Sequence, residues 1–197
     1  MDPIHLESSV AAKPSQPAKG GWGRTAAEIV QTVLLAGVLF LAVNFVTARI
    51  RVEGNSMEPS LHDGEFVVVN RLAYRWAMPA RGDIVVFRFP LNPERRFIKR
   101  IIGLPGDQIL IGDGRVWVNG QSLEEPYIAA APRYTGEWTV GAGVVFVLGD
   151  NRNNSSDSQN WGMLPLPDII GRAILVYWPV TDAGVIEHAV PLAMSGT

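Results

Sequence analysis

The 197-residue chain contains no cysteine, so disulfides, thiol nucleophiles and Cys-ligated metals are excluded. Histidine is scarce: only His5, His62 and His188 occur, with no H-E-x-x-H and no His/carboxylate cluster at metal-ligand spacing. Metal chemistry therefore has no support in the sequence, and neither a metal nor another cofactor is expected. A formal charge of -2 shows no basic excess, which argues against a nucleic-acid partner held through phosphates. Lysine is also rare; after Lys13 and Lys19 only Lys99 remains. A chain of this length has room for one domain and its appendages.

Against these absences stands one long apolar run. Ile29 to Ala48, "IVQTVLLAGVLFLAVNFVTA", carries no charge and at 1.5 Å per residue matches a hydrocarbon core of roughly 30 Å. A transmembrane helix is expected over residues 25–49. A cleaved signal peptide would have an apolar region of only about 7 to 15 residues. Lys13, Lys19 and Arg24 precede the run while Arg49 and Arg51 follow it, so charge favours an inside N-terminus only slightly. Residues 1–24 are rich in Ala, Ser, Pro and Gly and read as a flexible tail.

Beyond the span, "EFVVVN", "DIVVFRF", "RRFIKRII", "QILI", "RVWV", "VVFVLG" and "AILVYW" are separated by Gly, Pro, Asp and Asn. These are short strand signals, and they predict an all-β domain over residues 50–180. The D-G and N-G pairs in "IGDGRVWVNGQSL" predict at least one tight hairpin. Residues 181–197 are too short and interrupted for a second crossing and are expected to be a loosely attached tail.

The stretch "GNSMEPSL" places Ser56 soon after the span. A serine hydroxyl is a weak nucleophile and needs a base beside it. None of the histidines is well placed along the chain. Lys99 is the alternative, because lysine can lose its proton when desolvated and arginine cannot. Period-two alternation in "RRFIKRII" sets Lys99 on one face with Phe97 and Ile101, and apolar neighbours of that kind lower an amine's pKa. A working base requires a drop of about three units, about 4 kcal/mol.

"SMEPSL" (56–61), "RGDIVVF" (81–87), "KRIIGLPGD" (99–107) and "GDNRNNSSDS" (149–158) together resemble the four sequence boxes of the type I signal peptidases, in the family's order after one N-terminal span. The resemblance covers roughly residues 25–180. It implies an all-β scaffold of antiparallel sheets on the outer face of a cell membrane, with the N-terminus inside. It also implies a Ser56/Lys99 dyad, with Ser155 orienting the lysine amine. Asp157 would hold the loop, with Arg100 or Arg152 as its partner, and the backbone N–H of Ser56 would serve the oxyanion. Ile50, Val52, Met57, Leu61, Phe97 and Ile98 align with substrate-pocket positions. Two departures stand out: Gly54 replaces a serine that some members use in the oxyanion hole, and Gln159 replaces a basic residue found in several relatives.

The implied partners are the signal peptides of secretory precursors and the lipid bilayer. The implied reaction is acyl transfer after a small-x-small site. Tyr74, Trp76 and Met78 could form an aromatic loop at the interface or pack in the core. Two rivals are a tethered β-domain that binds peptides without cutting them and a Ser/Lys self-cleaving regulator. The first predicts loss of Ser56 or Lys99, and the second predicts a DNA-binding segment; neither prediction matches the chain.

Overall fold

A computed structural model describes residues 21–188. The chain divides into two compact units, one ending at Ala42 and the other beginning at Val43. Helix α1, Gly21–Val46, contains a candidate membrane span from Trp22 to Val46 with mean hydropathy 2.3. Its 25 residues are about 37 Å long, enough to cross a bilayer with some tilt. The helix starts earlier and stops earlier than the apolar run suggests: residues 21–24 are helical, and Thr47–Arg49 belong to a strand. "TARIR" alternates small or apolar side chains with exposed arginines and finds a backbone partner, so strand pairing overrides continuation of the helix. Most of the tail expected over residues 1–24 lies outside the described residues, as does His5.

Among the described residues twelve strands follow: β1 Thr47–Arg51, β2 Phe66–Asn70, β3 Ile84–Phe89, β4 Asn92–Gly103, β5 Gln108–Gly112, β6 Arg115–Val118, β7 Gln121–Ser122, β8 Gly136–Thr139, β9 Val144–Leu148, β10 Leu164–Pro165, β11 Ile169–Trp178 and β12 Gly184–Val185. All pairings are antiparallel. The large sheet runs β1-β2-β11-β3-β4-β9-β10 with β12 on β11, and the small one runs β7-β6-β5-β8. Each strand signal read from the sequence lies in one of these strands. The D-G pair makes the β5–β6 turn with Asp113 and Gly114 at φ 49° and 72°, and Asn119 and Gly120 make the β6–β7 turn in the same way. Positive φ at both central residues matches the right-handed twist of the paired strands.

The core has three apolar clusters, and β4 contributes to all of them. Ile98 joins one with Val52, Met57 and Leu61; Ile102 joins the cluster of the small sheet; Ile101 joins Val85, Phe87 and Val147. Residues 181–188 are no loose appendage. β12 pairs with β11, Ile186 is buried, and the Ile84 N–H donates to His188 Nδ1 at 3.1 Å. An apolar side chain and a backbone partner in the sheet outweigh the polar, interrupted look of that segment.

Candidate active site

Ser56 opens a tight turn between β1 and β2, held from below by two fully buried side chains, Met57 and Leu61. Each contributes about 1.5–3 kcal/mol by leaving water, which fixes the turn against the core. The Leu61 N–H donates to Met57 O at 2.9 Å, and the Gly54 N–H donates to Asp63 Oδ1 at 2.7 Å. Gly54 stands at φ 80°, a conformation that few other residues adopt. Among the described residues the Ser56 N–H donates to nothing, which leaves it available to an incoming oxyanion.

Lys99 sits mid-β4 opposite Val85, buried, with its Nζ 2.6 Å from Ser56 Oγ and 5.5 Å from the centre of the Phe97 ring. The amine also donates to Ile98 O at 2.9 Å. Burial lowers its pKa to about 8, against the opposing pull of Asp157 and then Asp150. At neutral pH a substantial minority of molecules therefore hold a neutral amine beside the hydroxyl, where an exposed lysine would offer about one in a thousand. The hydrogen bond expected between this amine and an accepting Ser155 hydroxyl is not formed. The buried Ser155 hydroxyl makes no hydrogen bond to Lys99 and lies toward the Asp157 carboxylate, whose pKa it helps to lower, while the amine donates to Ser56 Oγ and Ile98 O.

The expected pairing of Asp157 with Arg100 or Arg152 is also corrected. Asp157 accepts from the Gly149 N–H at 3.0 Å and the Gln159 N–H at 3.3 Å, and caps helix α2, Ser158–Trp161, in a capping box with Asn160. Burial raises its pKa, and these backbone donors act in the other direction. Each arginine has a different acid. Arg100 grips Asp150 through Nε at 2.8 Å and a terminal nitrogen at 2.7 Å, and Arg152 grips Glu125 at 2.8 and 2.6 Å. The Tyr127 ring lies 4.0 Å from the Arg100 guanidinium, and its hydroxyl donates to Glu125 at 2.7 Å. With Gln159 at the first turn of α2 contributing its backbone, a basic side chain at that position is not needed to hold Asp157.

This buried network shapes the loop that braces Ser56. Asn151 donates its N–H to Ser56 O at 3.1 Å and its side-chain amide to Asn55 O at 3.0 Å. A Cβ at Gly149 would lie 2.3 Å from Ser56 O and 2.2 Å from Ser155 Oγ, so only glycine allows the two loops to approach this closely. The sequence points to Asp150, Asn151 and Arg152 as shaping this turn, but not to Glu125 or Tyr127 as site-supporting residues. No local pattern connects residue 125 to residue 152.

Beside the dyad lies a groove of about 600 Å³, lined by Arg49, Ile50, Val86, Phe97, Ile98 and Lys99 among others. Ile50, Phe97 and Ile98 are wall residues as expected, and Val86 joins them. Val52, Met57 and Leu61 are not: they are 2%, 0% and 0% exposed and lie inside the core beneath the turn. The position along a box gave their neighbourhood, but the side-chain direction put them on the inner side. Of the 74–78 loop, Tyr74 is half-buried and donates to Asp83 at 2.8 Å, whereas Trp76 and Met78 are exposed. His62 pairs with Glu65 at 3.2 Å and His188 with the Ile84 N–H, so neither is a base for Ser56.

Comparison with known proteins places this geometry in context. The sequence matches the family described as signal peptidase, peptidase S26, over residues 24–178. It is 43% identical over 166 residues to a signal peptidase I of Leptolyngbya laminosa, covering 80% of this chain and 82% of that protein. It is 39% identical over 189 residues to a probable signal peptidase I-2 of a Synechocystis species, covering 92% and 85%. A crystal structure of a signal peptidase I from Enterococcus faecalis aligns at a TM-score of 0.46 with 33% identity, over 49% of this chain and 97% of that one.

Proposed function

The chain belongs to the signal peptidase family, peptidase S26, a membrane-anchored serine endopeptidase that removes signal peptides, and we propose that Ser56 and Lys99 are the dyad that performs the cut. The observation that carries this assignment is the 2.6 Å contact between Lys99 Nζ and Ser56 Oγ, made by a buried amine whose pKa is lowered to about 8.

The substrate enters the groove as an extended strand, its backbone pairing with the groove walls and its small side chains seated against Ile50, Val86, Phe97 and Ile98. Bulky apolar walls leave room for alanine-sized groups before the scissile bond and reject larger ones. Ser56 Oγ attacks the carbonyl carbon while Lys99 Nζ takes the hydroxyl proton. The carbonyl oxygen becomes an oxyanion facing the Ser56 N–H. The tetrahedral species collapses, Lys99 gives its proton to the leaving amine, and the C–N bond breaks to leave an acyl-enzyme. Water then loses a proton to Lys99 and adds to the ester carbonyl, and the Oγ–C bond breaks as Lys99 returns that proton to Ser56 Oγ. Ser155, whose buried hydroxyl is not bonded to Lys99 in this state, turns to the amine when Lys99 releases Ser56 Oγ, and so keeps it aimed at the leaving group.

The catalytic unit works on the outer face of a cell membrane, against precursors themselves anchored by an apolar segment. Intact-mass analysis of a secretory precursor mixed with detergent-solubilised protein tests the dyad. One cut after a small-x-small site by the parent, absent in Ser56→Ala and in folded Lys99→Arg, supports it. Cleavage by Lys99→Arg at more than about a hundredth of the parent rate removes Lys99 as the base, since arginine retains its proton.

A further inference from the structure

The tip of the β3–β4 hairpin carries charges that no feature of the catalytic reading uses. Arg88 and Arg96 are direct cross-strand partners, both exposed, and neither makes an ion pair among the described residues. Like charges directly opposite one another on a sheet are destabilising, so a fold that keeps this pair requires a compensating anion or a solvated splay. Arg95 and Arg96 line the same groove as Arg49 and Arg51, against only Glu53 and Glu94. By contrast, Arg81, Arg100, Arg152 and Arg172 each pair with an acid. Arg71, Arg75, Arg115 and Arg133 also make no ion pair among the described residues, so what marks this place is the groove that Arg49, Arg51, Arg95 and Arg96 share and the cross-strand Arg88–Arg96 pair. Leu91, 72% exposed, stands at the apex of the same hairpin.

Covalent reach sets where this patch works. Arg49 and Arg51 lie three and five residues beyond Val46, the last residue of the candidate span. Even a fully extended link keeps them within about 10 and 17 Å of that helix end. Arg95 and Arg96 border the same groove as these two arginines, which joins the hairpin to the segment tethered to the span. Two arginines of the patch thus come from the segment leaving the membrane, and three come from the hairpin.

We propose that Arg88, Arg95 and Arg96 on the hairpin, with Arg49 and Arg51, form a binding face for anionic lipid headgroups, with Leu91 entering the acyl boundary between them. Guanidinium forks suit phosphate oxygens, and an anionic lipid between Arg88 and Arg96 converts a repulsive pair into a bridged one. Each arginine at an anionic surface favours docking by about fivefold. The proposal concerns the surface on which the enzyme rests and does not depend on the dyad assignment.

The absence of cysteine makes the test direct. Full-length protein carrying Leu91→Cys is labelled with a polarity-sensitive fluorophore and reconstituted in vesicles of phosphatidylcholine alone or mixed with phosphatidylglycerol. A lipid-borne nitroxide serves as quencher. The same label at Asp113→Cys, on the β5–β6 turn, provides the aqueous reference. The expected result is quenching at residue 91 that depends on phosphatidylglycerol, weakens with salt, and falls about 25-fold in docking ratio when charge reversal at Arg88 removes one attraction and adds one repulsion. Three results overturn the proposal: a label at residue 91 that stays aqueous in both vesicles, equal quenching in both, or shielding that appears only when an acidic peptide is added. Cleavage is not the readout, so failure here and failure of the peptidase assignment are distinguishable.

Discussion

Lys99 is a cation whose burial opposes its charge more than Asp157 and Asp150 support it, and two measurable quantities follow from that. Its pKa of about 8 makes the fraction of active base rise about tenfold per pH unit below 8 and level off above it. The pH profile of kcat/KM should show that limb. Stability moves with the same group. The folded value lies below the ordinary 10.5, so between about pH 8 and 10.5 the unfolded chain binds more protons than the folded one, and stability rises with pH through that window. The full span is worth about 3 kcal/mol. Lys99→Met should abolish that rise, read from urea midpoints at pH 7.5 and pH 10; a rise that persists in the variant would mean that another group carries the linkage.

At the scale of elements, the proposed dyad depends on the contact between the Ser56 turn and the 149–158 loop. Gly149→Ala places a methyl group against Ser56 O and Ser155 Oγ, with backbone on one side that cannot yield cheaply. Loss of cleavage by at least about a hundredfold in a folded protein is expected, since a displacement of about 1 Å at a catalytic pair suffices for that. Arg152→Ala acts on the same loop by another route. It leaves Glu125 buried without its cation and should cost about 3–5 kcal/mol in a denaturation midpoint. A loss under about 1 kcal/mol would show that the pair is solvated and does not brace the loop. Asp157 completes this element through backbone hydrogen bonds, which explains why no arginine needs to reach it.

At the scale of the whole molecule, the span and the nucleophile are separated by only ten residues, from Val46 to Ser56. Ser56 is therefore within about 35 Å of the end of the span. A membrane-embedded precursor should be cut well when its site closely follows its apolar segment. A polar spacer of about twenty residues, up to about 70 Å long, should slow that cut by at least about tenfold in vesicles while leaving the rate in detergent unchanged. Equal rates in vesicles would mean that the tether does not set the reach of the enzyme.

Much of this was legible in the amino-acid order. Apolar length identified the span, alternation identified the strands, and the D-G and N-G pairs identified the turns, because these depend on periods and backbone preferences local to a few residues. The scarcity of lysine singled out Lys99 for the same kind of reason. What the sequence could not assign were partners brought together across the sheet: Asp150 with Arg100, Glu125 with Arg152, Asn151 against the Ser56 carbonyl, and the Ile98 carbonyl as a second acceptor for the Lys99 amine. Val52, Met57 and Leu61 went to the core for the same reason, since which side of a turn faces the groove depends on what packs behind it. Chemistry carried by residue type is written along the chain, whereas hydrogen-bond partners and buried charges are chosen by long-range packing, which only the folded chain decides.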